Sequence, residues 1–150
     1  MPKQRRIRKT STARPQRPDP RAIADYHAHV YYHPRKTRGR AKRLRARVAV
    51  QFPHARLGRW HDELVGPHSQ SMYQIAFPRR MLASLLPWLM LNRDGLTVLL
   101  HPETGDDYRD HTAHAAWLGG PLPLRLAGFK KRPRGRRQAA AALWNRKRPR

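Results

Sequence analysis

The pattern of apolar and polar positions changes from alternation to helical spacing within the first third of the chain. Residues 26–32 alternate aromatic or aliphatic side chains with histidine between Asp25 and Pro34, which is typical of a strand. In residues 39–52, apolar side chains recur three or four positions apart while arginines occupy the other side. This spacing predicts an amphipathic helix that ends at Pro53.

The rest of the pattern predicts three more strands and a second helix. The strands are expected at residues 57–63, 72–77 and 96–101. The helix is expected at residues 81–92, with Pro87 either kinking it or opening a further helix at its first turn. Residues 104–110 are interpreted as a loop, and residues 112–118 as a short helical or irregular turn.

The order strand, helix, strand, strand, helix, strand is the ferredoxin-like βαββαβ arrangement, of the α+β class. It predicts a four-stranded antiparallel sheet with both helices on one face. A second subunit, the C-terminal segment or a ligand pocket must then cover the other face. We expect a homodimer whose sheets pack face to face, a dimeric α+β barrel.

The charge of the chain is concentrated at its two ends. The net charge is +24, and residues 1–20 and 128–150 together carry +16 of it. We therefore expect a basic disordered arm at residues 1–20, a ferredoxin-like domain at residues 21–127 and a basic tail at residues 128–150. Such ends bind polyanions non-specifically by releasing counterions, which says little about the work of the central domain.

Composition excludes several kinds of chemistry. The chain has no cysteine, so a disulfide, a thiolate zinc site and a cysteine nucleophile are all absent. The longest apolar run, residues 85–91, is far shorter than the roughly 20 residues of a membrane span. No apolar stretch follows the basic start, so no secretory signal is expected. These features predict a cytoplasmic protein without a membrane segment.

Histidine is distributed in the opposite way to charge. All nine histidines fall between His27 and His114, and neither basic end contains one. A protein that only bound phosphate would gain little from imidazoles that are neutral at physiological pH. The concentration of imidazole in the central domain therefore indicates metal binding or proton transfer.

Four histidines have positions from which they could meet over the uncovered face of the sheet. His27 and His29 are two residues apart and therefore point to the same face of the first strand. His101 ends the fourth strand, and His68 lies in the loop before the third. Imidazoles without thiolates suit iron, zinc, copper or nickel.

The remaining histidines and the acidic residues are weaker candidates. His33, His54 and His114 are expected to be ordinary surface residues, and His61 to be a ligand, a supporting residue or a plain polar strand residue. Non-haem Fe(II) oxygenases often add one carboxylate to two histidines. The nearest acidic residues are Asp62, Glu63 and Glu103, and none has a spacing that singles it out.

Six blocks, taken in order, resemble the DOPA 4,5-dioxygenase family. They begin with Tyr-His-Ala-His-Val-Tyr at residues 26–31 and Val-Gly-Pro-His at residues 65–68, and they continue at residues 72–77, 87–93, 100–107, and 110–111 with 117–119. The resemblance covers roughly residues 25–124. The chain departs from the family pattern at His33, where the family usually has Asp, and at Ser69, where it often has Pro.

The resemblance implies a ferredoxin-like enzyme that uses O2 to cleave a catechol ring, such as that of DOPA, next to its hydroxyl groups. Fe(II) is the implied metal, with zinc an alternative in purified protein. The implied metal ligands are His27, His29, His68 and His101. His111 and His68 are the implied catalytic residues, which move a proton during ring opening.

Two other functions stay open on the sequence. A basic nucleic-acid-binding module is suggested by the net charge and the arginine-rich helix, although the aromatic motif of RNA-recognition sheets is absent. A metal-free dimeric α+β barrel, either a cofactorless isomerase or a small-molecule-binding protein, is the second. Metal analysis of the purified protein separates it from the oxygenase.

Overall fold

The computed structural model describes residues 18–129 of the 150-residue chain. The predicted disordered arm at residues 1–20 and the predicted basic tail at residues 128–150 lie almost wholly outside this range, so both stay predictions. Among the described residues, no helix has the length and apolar composition that crossing a membrane requires.

Five strands and three α-helices make up the described chain. In chain order these are β1 (Asp25–Tyr31), α1 (Arg38–Gln51), β2 (Arg56–Leu57), β3 (Met72–Pro78), α2 (Leu82–Asn92), β4 (Val98–Pro102), α3 (Asp107–His111) and β5 (Ala116–Leu118). The strands form one sheet in the order β2-β3-β1-β4-β5, and every neighbouring pair is antiparallel. The predicted antiparallel α+β sheet is confirmed, whereas the predicted dimer and barrel stay predictions.

The sheet has five strands, so the prediction of four was wrong. β5 pairs with β4, placing Leu118 beside Val98 and Ala116 beside Leu100. Residues 112–118 had the pattern of a turn because three strand residues are too few to show a period. Burial of Leu118 against the helix-covered face and the pairing with β4 create this strand.

The second strand is much shorter than the predicted residues 57–63. After Leu57 the Gly58 N–H makes one more hydrogen bond to β3, to the Gln74 carbonyl at 2.7 Å, and the chain then returns only for an isolated bridge between His61 and Met72. Asp62 accepts hydrogen bonds from the Tyr32 hydroxyl at 2.7 Å and from Arg38 at 3.1 Å. These bonds anchor the segment to the end of β1 and the start of α1, away from the sheet edge.

Both long helices pack on one face of the sheet. α1 buries Ala41, Leu44 and Val48, and α2 buries Leu85 and Leu89. Alternate residues of the central strands complete this core: Ala28, Val30, Tyr73, Ile75, Phe77, Val98 and Leu100. Because strand residues alternate between faces, this packing forces the histidines of β1 and β4 onto the opposite face.

The opposite face is covered by two other segments of the same chain. Tyr31, Met72 and Leu99 form a second buried cluster, against which Val65 and residues 115–124 pack. A bridge between His68 and Leu124, and a 2.7 Å hydrogen bond from the Arg125 N–H to the Pro67 carbonyl, join the two covering segments. The histidine face is therefore partly enclosed within a single chain.

Candidate metal centre

The register of β1 and β4 brings three histidines together. His27 lies directly opposite His101, and His29 is two residues farther along the same face. The ring centroid of His101 is 5.3 Å from that of His27 and 5.1 Å from that of His29. His29 and His101 are buried, and His27 is half-buried.

Two further histidines approach this group from outside the sheet. The His68 ring, on the loop before β3, has its centroid 4.2 Å from that of His29. The His111 ring, at the end of α3, has its centroid 4.1 Å from that of His101. We call the five residues His27, His29, His68, His101 and His111 the histidine cluster. All five candidate site residues from the sequence thus lie together, while their individual roles stay predictions.

The other candidates lie away from this cluster, with one exception. His33, His54 and His114 are exposed, and His61 bridges to Met72. Asp62 is bound to Tyr32 and Arg38, and Glu63 is exposed. Glu103 is the carboxylate that reaches the site, with its Oε1 3.5 Å from His27 Nδ1 and 4.0 Å from His101 Nδ1.

Several sets of ligand atoms are close enough to share one ion. Nitrogens of His27, His29 and His101 lie within 4.8 Å of one another, as do those of His29, His68 and His111. A third set joins His101 to the carboxylates of Glu103 and Asp110. Spacings of this size make each set a candidate for holding one ion.

Four of the five histidines of the cluster, His27, His29, His68 and His101, are held in the neutral form that binds metal. Burial, followed by the neighbouring imidazoles His101 and His111, lowers the pKa of His27 to about 3. Burial is also the main reason why the pKa of His68 falls to about 3 and that of His101 to about 4. The pKa of the fully buried His29 lies well below its ordinary value, for the same reason. Neutral imidazoles keep the lone pair that a metal requires.

Two nitrogens in the cluster form a hydrogen bond that a bound ion could replace. His101 Nδ1 lies 2.9 Å from the Pro102 carbonyl, which can only accept, so Nδ1 carries the proton and Nε2 has a lone pair. That Nε2 lies 3.0 Å from His29 Nε2. His29 Nδ1 is buried without a hydrogen-bond partner in the described structure. In the metal-free chain His29 Nε2–H donates to the His101 lone pair, which leaves an unpaired lone pair on the buried His29 Nδ1. An ion bound here would replace this hydrogen bond with coordination by the ring nitrogens.

Glu103 lies beside the cluster as a mostly protonated acid below pH 7. Burial is the first cause that raises its pKa to about 7, followed by the nearby charges of Asp110, Asp107 and Asp25. Because the pKa of His27 is lowered at the same time, neither group carries much charge at pH 6. The 3.5 Å approach of Glu103 to His27 is therefore a contact between neutral polar groups rather than an ion pair.

Asp110 supports the site and was not singled out from the sequence. It is completely buried and accepts hydrogen bonds from the Thr104 N–H at 2.8 Å and from the Thr104 hydroxyl at 2.6 Å. These bonds tie the last turn of α3, which carries His111, to the turn after β4. The segment resembled a polar loop in the sequence, where the adjacent pair Asp110-His111 was the available signal.

Tyr31 is a second residue that the sequence reasoning missed. Its hydroxyl lies 2.7 Å from His68 Nδ1, and its ring stacks on Trp117 with a centroid separation of 5.9 Å. Tyr31 follows His27 and His29 at the same two-residue interval, so strand alternation alone places it on the histidine face.

The fold and the site together define an α+β protein with a buried histidine cluster whose nitrogens are spaced closely enough to hold a metal ion. The model of the Dopa 4,5-dioxygenase family matches residues 26–127. The chain belongs to this family, and the resemblance found in the sequence is confirmed.

Individual relatives agree with this assignment. An Amanita muscaria protein named DOPA 4,5-dioxygenase is 34% identical over 114 residues, covering 71% of this chain and 50% of that protein. A Botryotinia fuckeliana protein of 21.2 kDa, described as uncharacterized, is 35% identical over 117 residues, covering 71% and 63%. The chain therefore spans between half and two thirds of these curated relatives.

A solved structure resembles the fold closely. It is a crystal structure of a Nostoc punctiforme protein described as a candidate dioxygenase, with 44% sequence identity and a TM-score of 0.71. The match covers 73% of this chain and 94% of that one.

Proposed function

We propose that this protein is a metal-dependent dioxygenase that uses O2 to open the ring of a catechol such as DOPA next to its hydroxyl groups. The observation that carries the proposal is the set of three neutral imidazoles on one sheet face, His27, His29 and His101, with nitrogens within 4.8 Å of one another. Family membership supports the oxygen-dependent reaction.

His27, His29 and His101 are the residues that would hold the metal. Fe(II) suits imidazole ligands and, unlike zinc, has the redox chemistry that a reaction with O2 requires; when bound it would polarise the catechol hydroxyls and orient the two reactants. The buried residues Tyr31 and Leu99 lie on the same sheet face as these ligands, and Leu99 pairs directly with His29.

His68 and His111 are the residues that would move protons. A reacting catechol hydroxyl gives up a proton, and ring opening returns one to the product. The rings of His68 and His111 have centroids 5.6 Å apart, and each lies within 5.6 Å of the His29 ring. Two imidazoles beside a substrate can serve as proton acceptor and donor in turn.

The test is ring cleavage by the full chain loaded with Fe(II) under air, followed as the appearance of a yellow product from DOPA or catechol. The double variant His27→Ala, His29→Ala should lose at least about 100-fold in rate, because removing two ligands costs more than the 10–100-fold typical of supporting residues. The double variant His33→Ala, His54→Ala removes two exposed histidines and is the matched control.

A second control uses catechol with both hydroxyls methylated, which should give no product because it cannot lose a proton. Full activity in the His27→Ala, His29→Ala variant would contradict the proposal. Absence of any ring-opened product from every catechol tested with the metal-loaded chain would contradict it as well.

The nucleic-acid-binding alternative has less support. Arg38 pairs with Asp62, Arg43 pairs with Asp94 at 3.2 Å, and Arg47 is hydrogen-bonded to Asn92. The guanidinium of Arg45 lies 5.5 Å from the Trp60 ring centroid. Much of the charge of α1 is thus engaged within the fold. The sheet face that an RNA-recognition module would present carries the histidine cluster and is partly covered.

A further inference from the structure

Hydrogen bonds to two carbonyl groups determine where two of the clustered histidines carry their protons. His101 Nδ1 lies 2.9 Å from the Pro102 carbonyl, and His111 Nδ1 lies 2.8 Å from the Asp107 carbonyl. A carbonyl oxygen only accepts, so in each neutral ring the proton is on Nδ1. Both rings therefore have a lone pair rather than a proton on Nε2.

His68 differs because its Nδ1 meets a hydroxyl group. The Tyr31 hydroxyl lies 2.7 Å from His68 Nδ1, and a hydroxyl can either donate or accept. Within residues 18–129, the Tyr31 hydroxyl has no other hydrogen-bond partner. If it accepted from His68, its own proton would be buried without an acceptor, which costs roughly 1–3 kcal/mol.

The hydroxyl therefore donates, and His68 Nδ1 accepts. A tyrosine hydroxyl keeps its proton at neutral pH. In a neutral imidazole whose Nδ1 accepts, the proton must be on Nε2. His68 thus carries an N–H at the nitrogen where His101 and His111 carry lone pairs.

We propose that Tyr31 is a positioning residue that keeps His68 in the Nε2–H form, so that His68 donates a hydrogen bond to the bound substrate and is not a metal ligand. His111, whose Asp107 contact leaves a bare Nε2, is the complementary proton acceptor. The substrate role rests on the proposed function, whereas the proton position on His68 does not.

Both partners of this bond are held in place. Tyr31 is 1% exposed, its ring stacks on Trp117, and its N–H donates to the Thr97 carbonyl at 2.9 Å. The His68 backbone is fixed by its bridge to Leu124. A bond between two immobilised groups selects one proton position strongly.

The first test measures proton positions directly in the metal-free, nitrogen-15-labelled full chain. Long-range proton–nitrogen correlation spectra at pH 7 distinguish the two neutral forms of each imidazole. His68, assigned by the signals missing from His68→Gln, should be in the Nε2–H form, and His101 and His111 should be in the Nδ1–H form. Finding His68 in the Nδ1–H form in the unaltered protein would overturn the proposal.

The variant Tyr31→Phe tests whether the hydroxyl causes this preference. It retains the ring that stacks on Trp117, so the packing is preserved. The His68 signals should move towards those of a mixture of the two forms, while those of His101 stay unchanged. Unchanged His68 signals in a folded Tyr31→Phe protein would show that another group sets the proton position, and would overturn the role of Tyr31.

Metal titration tests the second half of the proposal. Cobalt(II) is the probe, because its visible spectrum reports ligand number and its dissociation constant can be measured without turnover. We expect at least about a tenfold weaker binding for His101→Gln, and for His68→Gln a change no greater than about threefold, as in the surface control His54→Gln. Equal losses in His68→Gln and His101→Gln would overturn the assignment of His68.

These outcomes separate the two proposals. If the unaltered chain binds cobalt and His68 is in the Nε2–H form, yet no catechol is cleaved, the proposed function fails and the role of Tyr31 in fixing the proton stands. If catechol is cleaved but His68 proves to be a ligand, the proposed function stands and the assignment of His68 fails.

Discussion

At the scale of single residues, the site depends on groups that hold the histidines as much as on the histidines themselves. Asp110 closes the turn between β4 and α3 through two hydrogen bonds from Thr104. Its side chain is completely buried, so no water can replace a lost bond. The position of His111 beside His101 therefore depends on the acceptor capacity of this carboxylate.

We expect Asp110→Asn to lower the free energy of unfolding by roughly 1–3 kcal/mol, because the amide has one acceptor atom where the carboxylate has two. Urea unfolding of the metal-free protein measures this loss. The matched control is Asp107→Asn, which makes the same chemical change at an exposed position of α3. Equal stability of the two variants would contradict a structural role for Asp110.

The sequence predicted correctly which side chains share a face where this follows from the local backbone geometry of a strand. His27 and His29 share a face because strand residues alternate, and the same rule extended by two positions would have included Tyr31. Asp110 could not be found in this way, because its importance comes from burial and from Thr104, six residues away. Burial of one polar residue in a helix of five residues leaves no periodic signal in the sequence.

At the scale of elements, α2 contains a proline, Pro87, which destabilises the helix in which it lies. Pro87 lies inside the helix Leu82–Asn92, where it lacks the N–H that would donate to the carbonyl of Ala83. The ring is exposed, so it contributes little packing in return. The α-helix runs through Pro87 from Leu82, so of the two alternatives drawn from the sequence, Pro87 does not open a further helix.

Replacing this residue should stabilise the protein. In Pro87→Ala, relief of the helix penalty of about 3 kcal/mol, less up to about 1 kcal/mol for the greater freedom of the unfolded chain, predicts a net gain of about 2 kcal/mol. Thermal and urea unfolding measure it. Met90→Ala, at another exposed position of α2, should change stability little. A lower stability of Pro87→Ala would contradict this account.

The sequence predicted the helices and strands that are long enough to show a repeating pattern of apolar residues. It did not predict the short strands that depend on pairing with a neighbouring strand. β1, β3, β4 and both long helices lie within a few residues of their predicted positions, because each has enough alternating or helically spaced apolar residues. β5 consists of three residues and exists because β4 offers a free edge. β2 ends after Leu57 because Asp62 binds Tyr32 and Arg38, a tertiary contact that no local pattern encodes.

At the scale of the whole molecule, the histidine cluster makes the stability of the metal-free protein depend on pH. The pKa values of His27 and His68 are about 3 and that of His101 is about 4 in the folded chain, against 6.5 for an ordinary histidine. At pH values between about 3 and 6.5, the unfolded chain therefore binds more protons than the folded chain. Stability is then highest above pH 6.5 and falls as the pH is lowered towards 3.

We expect the free energy of unfolding, measured with urea in the presence of a chelator, to decrease from pH 7.5 to pH 5. Glu103 has a raised pKa of about 7, so its own contribution to stability increases as the pH falls. This single contribution is outweighed by those of the four histidines whose pKa values are lowered. The variant His27→Gln, His68→Gln should show a shallower decrease. A stability that is flat or rises as the pH falls from 7.5 to 5 would contradict neutral, buried imidazoles.

The central claim is that the buried face of the sheet is a metal centre built from His27, His29 and His101. Anomalous diffraction from crystals of the Fe(II)- or cobalt-loaded full chain tests it most directly. The account predicts one strong peak bonded to nitrogens of these three histidines, at roughly 2.0–2.2 Å, close to the distances known for imidazole ligands. Empty density at the histidine cluster, with the metal bound only at exposed residues such as His33 or His54, would contradict it.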